Sequence, residues 1–163
     1  MPNVGEPTYA SDVNAAGVIA RGTRTTVQTC TGSEIGILRL DNVALLSGHA
    51  YLIQPSILRV DMTVTTDRPK FLIRYNLTGT ATTSSSALAR SERSGSEDLN
   101  SFPPPFGWIF PVADTTAASF LLTMVRASGT GNILCPPATA SDEPITLSVI
   151  DYGVAPADTG VVI

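Results

Sequence analysis

Lysine is almost missing from this sequence: Lys70 is the only one among its ten basic residues. Histidine is reduced to His49 and cysteine to Cys30 and Cys135. Only 15% of the 163 residues are charged, against roughly 25% in ordinary globular chains. Each scarcity removes a class of function. The single histidine, His49 in SGHAYL, stands at the start of an expected strand and reads as solvated or structural, and no Gly-x-Ser-x-Gly turn offers a nucleophile for it to activate. One histidine and two distant cysteines cannot build a zinc site. Gly129-Thr130-Gly131 is too short for a phosphate-cradling loop and follows a strand without opening a helix. None of the fourteen carboxylates stands out from turn and strand-surface positions as half of a glycosidase pair. The sequence therefore predicts no enzyme, no metal and no cofactor.

The charge balance excludes further partners. The net charge is −4 and the isoelectric point near 4.8. The arginines are dispersed (Arg21, Arg24, Arg39, Arg59, Arg74, Arg126), and Arg90 and Arg93 lie beside Glu92, Glu97 and Asp98. No basic stripe with interleaved aromatics exists, so nucleic acid has no electrostatic footprint to follow. No apolar run approaches the ~18 residues of a membrane helix. The opening MPNVGEPTYASDVN lacks a basic stretch followed by an apolar one, so no secretory signal peptide is expected. Two cysteines are too few for a disulfide framework. Both are expected in the core as small apolar residues, and a bond between them requires neighbouring strands.

What is abundant is hydroxyl and β-branched: 20 threonines and 15 serines replace charge on the surface. Period-two alternation, the mark of a strand with one dry face, runs through most of the chain. ILRVDMTVT (57–65) sets Leu58, Val60, Met62 and Val64 against Arg59, Asp61, Thr63 and Thr65. KFLIRYNL (70–77) sets Phe71, Ile73, Tyr75 and Leu77 against Arg74 and Asn76. With Asp67-Arg68-Pro69 between them as a turn, these two segments are expected to form an antiparallel hairpin. Further strands are expected over 18–29, 34–40, 49–54, 119–127, 131–135 and 145–153, with turns at Asp41-Asn42 and Ser47-Gly48. Eight or nine strands at such spacing predict one all-β domain, a sandwich or barrel. Residues 78–107 change composition to small and polar, and are expected to form a long surface loop closed by the aromatic cluster Phe102, Phe106 and Trp108. SALARSERSGSEDL within it holds at most a turn or two of helix. Residues 1–16, polar and punctuated by proline and glycine, read as a separate arm.

Two segments carry apolar bulk on both faces. SFLLTMVRA (119–127) alternates Phe120, Leu122 and Met124 with Leu121, Thr123 and Val125, which predicts cover from a second sheet and from something else. ITLSVIDYG (145–153) begins with Ile145, Leu147 and Val149 on one face. It then adds Ile150 and Tyr152 on the other, leaving Asp151 near a wet edge. A monomer would leave Ile150 or Tyr152 in water, whereas a closed oligomer covers both faces. Phe71, Ile73, Tyr75, Phe120, Leu122, Ile150 and Tyr152 are thus candidates for core or oligomer contacts, two roles the sequence does not separate. The aromatic residues Tyr9, Tyr51, Tyr75, Trp108 and Tyr152 also offer flat faces for sugar stacking. Phe106 and Trp108 are the candidates for contact with a glycan or another partner.

The phrases GVIARGTRTT, EIGILRLDNVALLSGHAYLI, FLIRYNLTGTATTSS and SVIDYGVAPADTGV resemble small virion proteins of tailed phages that infect actinobacteria, a group of minor tail, fibre-like and head decoration proteins. The resemblance runs over residues 17–162. TYASDVN resembles a T-A-S-D-x-N phrase near the start of phage tail appendage proteins, although here the chain passes to strand without the helical segment that usually follows. The resemblance implies a trimeric jelly-roll β-sandwich similar to the tumour-necrosis-factor and C1q heads, in residues 17–163, with residues 1–16 as an attachment arm. It implies a virion location after synthesis in the host cytoplasm. The implied partners are two further copies of itself and other virion proteins of tail or capsid; host surface glycan is the partner of a separate, alternative reading, a glycan-binding module resting on the aromatic faces. Pro2, Tyr9, Asp12 and Asn14 are the arm residues it marks for particle attachment.

Overall fold

Alternating side chains in a chain rich in threonine, valine and isoleucine favour pleated, half-buried backbone over helix, and strands are what form. A computed structural model describes residues 17–92, 100–101, 107–136 and 144–155. These hold twelve strands: β1 (Gly17–Arg24), β2 (Gln28–Cys30), β3 (Ile35–Leu45), β4 (His49–Ser56), β5 (Val60–Met62), β6 (Arg68–Asn76), β7 (Ser86–Glu92), β8 (Asn100–Ser101), β9 (Trp108–Pro111), β10 (Thr116–Ser128), β11 (Ile133–Cys135) and β12 (Ile145–Val154). No helix occurs among the described residues.

The pairing is nested from the ends of the chain inward. β1 pairs with β12, β2 with β11, β3 with β10, β4 with β9, β5 with β8 and β6 with β7, all antiparallel. This long double ribbon then wraps on itself, laying β12 against β4, β10 against β6 and β11 against β5. Two four-stranded sheets result, β1–β12–β4–β9 and β3–β10–β6–β7, with a sheet of very short strands, β2–β11–β5–β8. An eight-strand ribbon rolled into two facing sheets is a jelly roll, so the expected sandwich is present. The four very short strands raise the number of elements above the eight or nine expected.

Inward-facing residues of the two main sheets make the core. Tyr51, Ile53, Phe71, Ile73, Phe120, Leu122, Met124, Leu147 and Val149 are all fully buried in one cluster. Tyr51 is accommodated because its hydroxyl accepts a hydrogen bond from the Leu46 N–H at 2.7 Å, so burial leaves no polar atom unmatched.

Three expectations change. The segments 57–65 and 70–77 do not form a hairpin: β5 pairs with β11 and β8, and β6 with β10 and β7. The cause lies in Asp67, which is wholly buried. Its N–H donates to the Val64 carbonyl, and its Oδ1 accepts from the Gly131 N–H at 2.9 Å. The corner is thereby fixed onto the turn between β10 and β11, and the chain crosses to the other sheet instead of doubling back. Gly129, at φ 96°, and Gly131 lie so close to Asp67 that a Cβ on either would overlap its carboxylate.

Asp41-Asn42 is no turn either. β3 runs through it to Leu45, with Asn42 at φ 55° where the register to β10 shifts. A β-bulge absorbs the extra residue, and asparagine tolerates the left-handed conformation. Residues 78–107 are not one loop and hold no helical turn at 86–92, because these residues form edge strand β7 against β6. Small Ala87 and Ala89 fit beside the bulky β6 residues, an arrangement a propensity argument on SALARSE misses.

Candidate interaction face

The structure separates the seven residues that the sequence left together. Phe71, Ile73, Phe120 and Leu122 are fully buried between the sheets, and Tyr75 is half-buried against the same core. These are core residues. Ile150 and Tyr152 point the other way, on the solvent side of the β1–β12–β4–β9 sheet, where Ile150 is half-buried and Tyr152 is 53% exposed.

The register shows what surrounds them. Val18 on β1 pairs with Ile150 on β12, Ile150 with Leu52 on β4, and Leu52 with Ile109 on β9. Directly paired side chains in adjacent strands lie on one face in contact range, so four apolar residues cross the whole sheet in a row. Val18 and Ile109 at its ends are each 58% exposed. A bulge after Val18 leaves Ile19 facing water as well, at 45%. Along β12 the stripe ends at Tyr152; past the register shift Val154 pairs with His49, on the side of Tyr51 and Asp151, and is 60% exposed. In the other direction the same face turns polar, through Arg21, Ser148 and Gln54, which are paired side by side.

Val18, Ile19, Ile109 and Tyr152 are thus large exposed apolar side chains on or beside one face, and monomers rarely leave contiguous apolar patches larger than a few hundred Å² in water. A standard protein–protein interface takes roughly 800 Å² from each partner, a little over half of it apolar.

Its upper end is fixed by a polar clamp. Asp151, expected at a wet edge, is instead buried, because it pairs with inward-facing Tyr51. Its carboxylate meets His49 Nδ1 at 3.0 Å and accepts the Gly153 N–H at 2.6 Å. The His49 ring stacks on Tyr51, with ring centroids 6.2 Å apart. Gly153, at φ 82°, takes up the register shift between Asp151 and Val154. The single histidine thus holds the end of β12 in the conformation that presents Tyr152.

The other doubly apolar strand has a different explanation. The outward residues of β10, Leu121 and Thr123, are buried within the single chain. Leu121 lies over the bare backbone of Gly36. Beside it Arg74 makes a two-pronged bridge to Glu34, at 2.5 and 2.6 Å, and also donates to the Ser85 carbonyl. The Arg74 hydrogen bonds, aided by one from Thr123, hold the Glu34 carboxyl below its usual range despite partial burial. Cover for this face comes from the chain itself.

Cys30 and Cys135 lie on the neighbouring strands β2 and β11, yet Cys30 pairs with Ile133 and Cys135 with Gln28. They are diagonal rather than opposite, and both are free thiols in the core. Burial pushes the Cys135 thiol far above its ordinary 9.0, which removes the reactive thiolate. Among the described residues no group of three histidine, cysteine, aspartate or glutamate side chains is arranged to hold a metal ion. Trp108 is 49% exposed and lines a cavity of about 550 Å³ with Lys70, Leu72, Ala87, Leu88, Ala89, Arg90 and Gly107. Pro2, Tyr9, Asp12, Asn14 and Phe106 lie outside the described residues. Sequence reasoning missed Val18, Leu52 and Ile109 as members of the face, because their adjacency depends on cross-strand register between distant segments.

No protein-family profile matches the chain, and no curated protein does. Among solved structures it is similar to the VP2 subviral particle of infectious bursal disease virus, at 13% identity and a TM-score of 0.42 over 95% of this chain. The T13 particle of that virus matches at 9% identity and 0.37, over 93% of this chain. The chain spans 42% of the length of each of these viral chains. The Eiger TNF of S. frugiperda matches at 9% identity and a TM-score of 0.38, over 83% of this chain and 98% of that one. The nested strand order fixes the jelly roll without reference to these likenesses.

Proposed function

We propose that the chain is a non-enzymatic structural protein of a bacteriophage virion, a homotrimeric jelly-roll knob of the tail or fibre apparatus. The observation that carries this reading is the apolar row Val18–Ile150–Leu52–Ile109 with its extension to Tyr152. Second and third copies of the same chain are its occupants. A closed ring buries such a face symmetrically and leaves none over for open-ended aggregation. Low charge across the chain leaves little repulsion between copies. The phrases shared with phage virion proteins give the particle as the setting, and residues 1–16, which lead directly into β1, serve as the attachment arm.

A place on the capsid surface as a decoration protein is the alternative location, and the same face would build that trimer. Immunogold labelling of intact particles of the encoding phage tests the location. Label on the tail supports the proposal; label spread over the head supports decoration; absence from purified particles contradicts both. Deleting residues 1–14 should abolish incorporation while leaving the oligomer intact. A glycan-binding module is a separate reading, favoured by the half-exposed indole of Trp108 over a cavity.

A further inference from the structure

The Trp108 cavity has a chemistry more specific than sugar stacking alone, and the inference below rests on the glycan-binding reading, not on the assembly. Trp108 sits at the start of edge strand β9, paired with inward-facing Ile53, while its neighbour Ile109 pairs with Leu52 on the outer apolar face. Successive residues of a strand point to opposite sides, so the cavity and the apolar face use different sides of β9. Both can be occupied at once. β9 is also the sheet edge opposite β1, which puts the cavity about 14 Å, three strand spacings, from the strand that follows residues 1–16.

Around the indole the walls are apolar, from Leu72, Ala87, Leu88 and Ala89. Two cations complete them. Lys70 pairs with Glu92, and Arg90 with Leu72, so Lys70 and Arg90 are diagonal neighbours on one face of the β6–β7 ladder. Like charges so placed repel unless an anion lies between or beside them. Glu92 lies across from Lys70 and on the same face of β7 as Arg90, so a single carboxylate adjoins the two cations. Glu34 feels Lys70 but is committed to Arg74 by two hydrogen bonds, leaving Glu92 across from Lys70 as the one remaining carboxylate on that ladder position. Among the described residues neither Lys70 nor Arg90 takes part in an ion pair. In a chain with a net charge of −4, two cations beside a half-exposed indole form a local exception.

We propose that this cavity binds an acidic oligosaccharide. The apolar face of a pyranose ring stacks on Trp108 and the leucine–alanine wall, and a carboxylate or phosphate substituent is held by Arg90 and Lys70. A volume of about 550 Å³ lies within the small-ligand range of roughly 300–1,000 Å³. Arg90 supplies the planar fork that matches a carboxylate or a phosphate, and Lys70 a point charge.

Trp108 is the sole tryptophan, so its emission reports on the site directly. The test titrates the purified protein with three probes: a galacturonic acid disaccharide, galactose 6-phosphate, and neutral galactobiose. Saturable change in emission at millimolar or lower concentration is expected for at least one acidic probe, with neutral galactobiose at least tenfold weaker. Which acidic probe binds better distinguishes a carboxylate from a phosphate substituent. Arg90→Ala and Lys70→Ala should each weaken the acidic probe about tenfold, the scale of one charge-assisted hydrogen bond, with unchanged melting curves. Calorimetry on Trp108→Ala should show no binding. Equal affinity for galactobiose, or no effect of Arg90→Ala and Lys70→Ala, overturns the acidic specificity and leaves the glycan reading standing. No response to any probe overturns both.

Discussion

Ile150 and Leu52 stand opposite each other on the solvent side of adjacent strands β12 and β4, and Val18 and Ile109 extend their row to both edges of the sheet. One layer inward, on the other side of the same backbone, Leu147, Val149 and Ile53 are sealed in the core. The two sets should respond differently to substitution.

Replacing Ile150 and Tyr152 together by aspartate places two charges on the outer face without opening the core. The expected outcome is loss of self-association with a folded, cooperatively melting monomer, read by light scattering and thermal denaturation. Phe120→Ala removes a fully buried ring and should cost about 3–5 kcal/mol of stability, read by urea denaturation. A doubly substituted protein that unfolds would move Ile150 and Tyr152 into the core.

The Glu34–Arg74 bridge makes stability depend on pH. Glu34 is held below its ordinary 4.5, chiefly by the Arg74 hydrogen bonds. A depressed carboxyl stabilises the fold fully above its unfolded value, and the contribution is lost as pH falls through the lower, folded value. Urea midpoints should therefore drop from neutral pH to below about pH 4. Glu34→Gln should cost about 1–3 kcal/mol at neutral pH and flatten part of that drop.

Neither thiol should react with a soluble disulfide reagent while the protein is native. Both are buried and free, and burial raises the Cys135 thiol. Labelling is expected only when denaturant unfolds the chain, at which point two thiols appear. Rapid labelling without denaturant would show that β2 and β11 open locally.

The fold class was legible because alternation is a local signal: Phe71-Ile73-Tyr75 and Phe120-Leu122-Met124 each announce a strand and its dry face. Pairing was not legible, since it depends on register between distant segments. Asp67 shows why. It reads as a turn residue, but its partner Gly131 lies far along the chain, and that contact decides that β5 and β6 part company. Of the candidate face, Ile150 and Tyr152 were visible because they break the alternation of their own strand. Val18, Leu52 and Ile109 each look ordinary in sequence and gain meaning only when set side by side. The doubly apolar β10 is covered on both faces, as its pattern indicates, with the cover for Leu121 and Thr123 coming from Gly36, Glu34 and Arg74 of the same chain.

The central claim is that the outer face of the β1–β12–β4–β9 sheet joins copies of this chain. Light scattering on the purified protein at micromolar concentration measures it most directly. The account predicts a particle of three times the 17.0 kDa chain mass, reduced to a single chain by the Ile150→Asp and Tyr152→Asp pair. A stable 17.0 kDa monomer of the unaltered protein would contradict it.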